Sequence, residues 1–239
     1  MSLRYVWLAL SVLVLLALHP VAHARPNHKV PDLRRGATRG SLQVSSSHRT
    51  IQVPLTLHIV ADQGGTLVSV HRVARWIERA NAALYPHGIE VSVRALRVLP
   101  AGFQEVTRWR DRRDLARFSP QDGTVHVFVV DRLDLYSVRP ERRRVRGMHW
   151  RYRGFNRDLA RREYVVVTDD APNTTLAHEL GHLFGLRHDT GAKNLMCSCR
   201  RGPGQAFTLA QGFKMRTGAV GFLARQNRAR IRQADRARR

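Results

Sequence analysis

The chain has 239 residues, with 41 Lys plus Arg against 18 Asp plus Glu, a formal net charge of +23 and 43% hydrophobic residues. That apolar content excludes wholesale disorder, and the length suits one domain with tails at about 100–200 residues per domain. No apolar run reaches the ~20 residues of a membrane-spanning helix, and a positive charge carried almost wholly by arginine suggests a nucleic-acid binder until it is located along the chain.

Residues 1–24 read as a secretory signal peptide. Arg4 supplies the positive start, residues 6–18 an uncharged apolar stretch, and Ala22-His23-Ala24 the small-x-small cleavage pattern. This predicts a secreted protein, extracellular or periplasmic, with no transmembrane segment once the signal is removed. Only Cys197 and Cys199 could then form a disulfide. Their spacing looks too short for an easy unstrained bridge, so buried small side chains are the first reading, ahead of a strained pair or an intermolecular contact.

Residues 25–50 mix Arg, Pro, Gly and Ser without apolar periodicity and read as a flexible lead-in or short pro-segment. Residues 51–60 alternate as a strand, with Val53, Leu55, Leu57 and Ile59 on one face, and Gly64-Gly65 makes a turn. Leu67, Val70, Val73, Ala74, Ile77 and Leu84 recur at helical spacing up to Pro86-His87-Gly88. Strands follow at 89–99 and 125–130, a weak edge strand at 145–152 and a short buried one at 164–167, before a helix that begins near Thr174. Beyond Gly202-Pro203-Gly204, Thr208-x-x-Gln211 forms a capping box for a last helix. Gly212, Gly218 and Gly221 weaken that helix and predict a break near residue 218. The order predicts an α/β fold, a mixed and mostly parallel sheet crossed by a helix.

The chemistry is concentrated in His178-Glu179-Leu180-Gly181-His182-Leu183-Phe184-Gly185-Leu186-Arg187-His188-Asp189. Four residues apart on a helix, His178 and His182 project from one face and can approach one Zn²⁺ at ~2.0–2.1 Å. Gly185 accepts the positive φ that ends the helix, and the turn brings His188 in as a third nitrogen ligand. Three protein ligands leave a fourth position for water, the arrangement of a catalytic zinc. Glu179, beside the first ligand, is placed to take a proton from that water and return it to a leaving amine. The pattern predicts a zinc-dependent endopeptidase acting on protein or peptide substrates.

Extended to His-Glu-x-x-His-x-x-Gly-x-x-His, with Met196 in Asn194-Leu195-Met196-Cys197 eight residues further on, the pattern resembles the metzincin clan of zinc metallopeptidases. His188-Asp189 is most similar to the adamalysin type, in which an aspartate follows the third ligand. The resemblance is strong over 178–196 and loose from residue 51 onward. It implies a five-stranded sheet with two main helices above a cleft and a small C-terminal helical part below, with Met196 as the Met-turn beneath the metal. It also implies that 145–152 is the antiparallel edge strand that takes up an extended substrate, and that 197–207 shape the pocket after the scissile bond. Asp189 either orients its turn by hydrogen bonds or is a solvated loop acid. Ser198 stands where some relatives carry a tyrosine ligand, so no tyrosine switch is expected. The lead-in lacks cysteine, so thiolate latency is excluded.

A catalytic domain at 51–222 followed by a basic helical tail at 223–239 completes the expected organisation. The alternative is a basic polyanion-binding protein with a zinc site, contacting nucleic acid, glycan or anionic lipid through its arginine clusters. Residues 139–162 carry ten arginines against Glu141 and Asp158, and 223–239 carry seven against Asp235. Residues 164–190 hold Asp169, Asp170, Glu179 and Asp189 against Arg187 alone. The charge therefore belongs to the flanks and the expected cleft rim, and the chemistry sits in a locally acidic stretch. His58 and His126 lie within strand patterns and read as satisfied core or edge residues, not a second metal site; His71, His87 and His149 have no partner at ligand spacing, and Trp76, Trp109 and Trp150 read as packing or rim residues.

Overall fold

The structure, a computed structural model, describes residues 49–62, 65–100, 102–136, 142–197 and 206–238. The expected signal peptide, the lead-in up to residue 48, Gly64, Cys199, Gly202 and Gly204 lie outside the described residues.

The alternation at the start of the chain forms β1 (Ile51–Asp62), buried on both faces, and the two-residue β2 (Gly65–Thr66) folds back on its end. Ser69 caps α1 (Val70–Leu84) by accepting the Arg72 backbone N–H. The helix buries Val73, Trp76, Ala80, Ala83 and Leu84 at helical spacing. Gly88, at φ 66°, turns the chain into β3 (Ile89–Leu99), which runs parallel to β1. The Asn81 side-chain amide then satisfies both backbone groups of Val91 and fastens α1 to that strand.

Together with β5 (Val125–Val130), β8 (Gly147–Arg151) and β9 (Glu163–Thr168), the main sheet has the order β3-β1-β5-β9-β8. Only β8, at the edge, is antiparallel. Every residue of β5 and β9 is buried, as a sheet covered on both faces requires. On one face pack α1, α3 (Thr175–Leu183) and α4 (Leu209–Ala237). The other face is covered by α2 (Trp109–Ala116) and a small sheet of β4 (Glu105–Val106), β6 (Arg132–Tyr136) and β7 (Arg142–Arg144), around Leu115, Phe128, Leu133, Trp150 and Tyr164.

The mixed, mostly parallel five-stranded sheet is the one the sequence predicts. The second layer is not: α2 carries four charged residues in Arg110-Asp111-Arg112-Arg113 and lacks an apolar repeat. It settles instead on Leu115 and on Arg112, whose buried guanidinium donates to the Asp134 carbonyl at 2.8 Å. The expected break near residue 218 does not occur, since α4 is one helix of 29 residues. Its glycines admit close neighbours: a Cβ at Gly218 would run into the Phe184 carbonyl, and one at Gly212 into the His87 ring. The cost of glycine in a helix interior, about 1 kcal/mol, is offset by the burial this approach allows.

On the β1/β5 surface, His58 and His126 form a buried pair, with His58 Nε2 2.9 Å from His126 Nδ1. His126 Nε2 faces two acceptors, the Pro120 carbonyl at 2.9 Å and Asp122 Oδ1 at 3.2 Å, so it carries the proton and His58 donates to Nδ1. Burial, above all, presses His58 down to about 3. The neutral ring is therefore a requirement of the fold, and an unfolded chain takes up a proton below its ordinary value of about 6.5. This contribution to stability is complete above pH 6.5 and declines toward pH 3, at roughly 1 kcal/mol per pH unit. Urea titrations from pH 7 to pH 4 should show a shallower loss for His58→Gln than for the wild type; parallel losses would contradict the assignment.

Candidate metal centre and active site

Strand β9 delivers the chain through Ala171 to Thr174, and α3 carries the first two histidines. His178 Nδ1 lies 2.8 Å from the Leu195 carbonyl and His182 Nδ1 3.0 Å from the Leu186 carbonyl. A carbonyl only accepts, so both Nδ1 atoms carry the proton and both Nε2 atoms present lone pairs. Gly185, at φ 95°, ends the helix: its N–H donates to His182 O and that of Leu186 to Gly181 O, a Schellman turn. The turn brings His188 alongside. His182 Nε2 is 3.2 Å from both His178 Nε2 and His188 Nε2, and the triad offers ligand atoms that all lie within 4.8 Å of one another.

Two protonated Nδ1 atoms leave no proton between the Nε2 atoms of His178 and His182. Their 3.2 Å approach sets lone pair against lone pair, an arrangement that a cation relieves. Burial holds both rings below the ordinary histidine value, His182 at about 4, which keeps them neutral. Neutral imidazoles with Nδ1–H tied to carbonyls are the ligands zinc takes. The donor set fits the metal.

Glu179 is buried beside the triad, 6% exposed. Burial pushes its carboxyl up to about 8, against the opposing pull of a hydrogen bond from the His149 backbone. A cation at the neighbouring triad would favour the carboxylate. The residue that accommodates it is Gly147 on edge strand β8: a Cβ there would lie 2.7 Å from Glu179 Oε1 and 2.5 Å from Thr175 Cγ2. Beneath α3, Met196 is fully buried, and a Cβ at Gly181 would lie 2.6 Å from its sulfur.

Asp189 is tied into its turn by hydrogen bonds. Its N–H donates to the Met196 carbonyl at 2.9 Å, and Oδ1 accepts the Gly191 N–H at 2.7 Å. Cys197 departs from expectation, since it is disulfide-bonded. Cys199, the chain's other cysteine, lies outside the described residues. Gly147 and Gly181 were missed as site residues, although for Gly147 an isolated glycine in a strand pattern is itself a signal of close approach.

The fold and the triad together define a zinc metallopeptidase. The family model described as metallo-peptidase family M12 matches residues 54–212, and the chain belongs to that family. Its metzincin resemblance is thereby shown. A promirolysin mutant from Tannerella forsythia has a similar structure, with TM-score 0.52 and 13% identity over 75% of this chain and 84% of that one. Mirolysin in complex with compound 9 gives TM-score 0.50 and 13% identity over 76% and 98%. Metalloproteinase-II from Bacteroides fragilis gives TM-score 0.48 and 17% identity over 72%, and this chain spans 55% of its length. At these identities the likeness is one of fold. No curated protein sequence matches the chain.

Because Gly147 touches Glu179, a single methyl group at that position should displace the carboxylate. Gly147→Ala is expected to lower kcat by on the order of 10²-fold while the circular dichroism spectrum stays unchanged. A variant with wild-type kcat would show that Glu179 has room to spare.

Proposed function

We propose that this chain is an exported zinc endopeptidase in which His178, His182 and His188 hold the metal and Glu179 carries the proton. The observation that carries the reading is the convergence of three Nε2 atoms beside a buried carboxylate, with two of the rings locked in the ligating tautomer. Bound there, zinc supplies Lewis acidity, making water more acidic and polarising the scissile carbonyl. Glu179 takes a proton from the attacking water and returns it to the leaving amine, aligned by the His149 backbone N–H and the close wall of Gly147. Met196 acts as the Met-turn, a packed floor that keeps α3 and the third-ligand turn in register. An extended peptide adds to the outer edge of β8, which pairs with β9 alone among the described residues. Export is supported by the pattern of residues 1–24 and by the disulfide at Cys197, which suits an oxidising compartment.

Glu179→Ala should keep one zinc per chain by elemental analysis and lose casein cleavage by a factor of about 10²–10⁴. His188→Ala should lose both metal and cleavage. Retained cleavage in Glu179→Ala would overturn the mechanism.

A second reading, contact with a polyanion, is favoured by the projecting end of α4. Arg228, Arg230, Arg232, Arg236 and Arg238 are exposed there, and none has an acidic partner among the described residues. Joint replacement of Arg228, Arg232 and Arg236 by Ser should lower the salt concentration that elutes the protein from heparin, with peptidase activity unchanged. An unchanged elution point would exclude this surface.

A further inference from the structure

The sequence marks Gln211 only as one half of a capping box. The structure gives its side chain more to do. Oε1 accepts from the Thr208 backbone N–H at 2.9 Å, which completes the cap of α4, and also from Asn194 Nδ2 at 2.9 Å. Those two donors fix the orientation of the amide, so Nε2 is the atom that points the other way. It donates at 3.3 Å to Asp189 Oδ2 and at 3.3 Å to Asn194 Oδ1.

Both recipients are one step from the metal ligands. Asp189 follows His188 directly and donates its N–H to the Met196 carbonyl. Asn194 is buried, and its Oδ1 accepts the Met196 N–H at 2.8 Å. Between them lies Leu195, whose carbonyl accepts His178 Nδ1–H. Leu195 is held from its other side by its N–H, which donates to the Ala206 carbonyl at 2.8 Å, just before α4. One amide on the first turn of the C-terminal helix therefore ties down the backbone that orients His178 and the turn that presents His188.

We propose that Gln211 is a positioning residue for the metal centre: its side-chain amide clamps Asp189 to Asn194 and through them holds two of the three histidines in ligating geometry. This rests on the reading that the triad binds zinc. Groups that hold ligands from behind typically change metal affinity by about 10–100-fold when removed. Gln211 differs from an ordinary cap in that the acceptor oxygen serves the helix while the donor nitrogen serves the site, so the two roles can be separated.

Gln211→Glu keeps an acceptor for Thr208 and Asn194, but it removes the donor and sets a carboxylate against Asp189. Thr208→Ala does the reverse, weakening the cap and leaving the clamp. Zinc affinity of the full chain, measured by competition with a chromophoric chelator, should fall by about 10–100-fold in Gln211→Glu and stay unchanged in Thr208→Ala, whose melting temperature falls instead. Adding Asp189→Asn to Gln211→Glu restores a donor opposite an acceptor and should recover much of the affinity, a rescue that a purely structural role does not produce. Wild-type affinity in Gln211→Glu, or absence of rescue in the double variant, overturns the proposal while leaving the zinc reading intact. A wild-type chain without affinity for zinc overturns both.

Discussion

Two carbonyl oxygens, those of Leu195 and Leu186, set the chemistry of this protein. Each accepts an imidazole Nδ1–H and so fixes a tautomer, and the tautomer decides that Nε2 faces its neighbours with a lone pair instead of a proton. Without those bonds, His178 and His182 would be two half-buried rings free to hydrogen-bond each other. With them, the pair makes sense only around a cation. Much of the surrounding fold exists to hold the two carbonyls still. Leu186 is set by the Schellman turn at Gly185, and Leu195 by its N–H, which donates to the Ala206 carbonyl just before α4.

The second constraint is the absence of side chains. Gly147 brings the edge strand onto Glu179, Gly181 brings α3 onto Met196, and Gly218 brings α4 onto the end of α3 at Phe184. These three approaches convert a sheet and two helices into one rigid block around the triad. They also explain why a long C-terminal helix tolerates glycines that would weaken it in isolation. Its far half is tied to the sheet edge as well: Arg225 meets the buried Glu163 at 2.9 Å, and His149 and Arg151 of β8 flank the same carboxylate.

What was legible in the sequence was legible because it is periodic or locally spaced. The alternation of β1, the helical stripe of α1 and the spacing of His178, His182, Gly185 and His188 each encode their structure within a few residues. The residues that went unread act at long range. Gln211 reaches Asp189 across 22 positions, and Gly147 meets Glu179 from another element. No local pattern names either partner. The break expected in α4 came from weighing glycine as a helix former in water, when the deciding term is what lies against it. The layer made by α2, β4, β6 and β7 was hidden for a related reason, since a buried arginine takes the place of an apolar stripe. The net charge, the most conspicuous feature of the composition, says little about the chemistry: most of the excess lies in the lead-in, in 139–162 and in the C-terminal tail, and the site is built from three imidazoles and one buried acid.

The central claim is that three imidazoles, and no other group among the described residues, hold the metal through their Nε2 atoms. Anomalous diffraction at the zinc edge from crystals of the metal-loaded protein tests it most directly. The account predicts one strong peak at ~2.0–2.1 Å from Nε2 of His178, His182 and His188, with both Nδ1 contacts to Leu195 and Leu186 intact. A peak at any other residues, or one reached through a flipped ring and an Nδ1 atom, would contradict it.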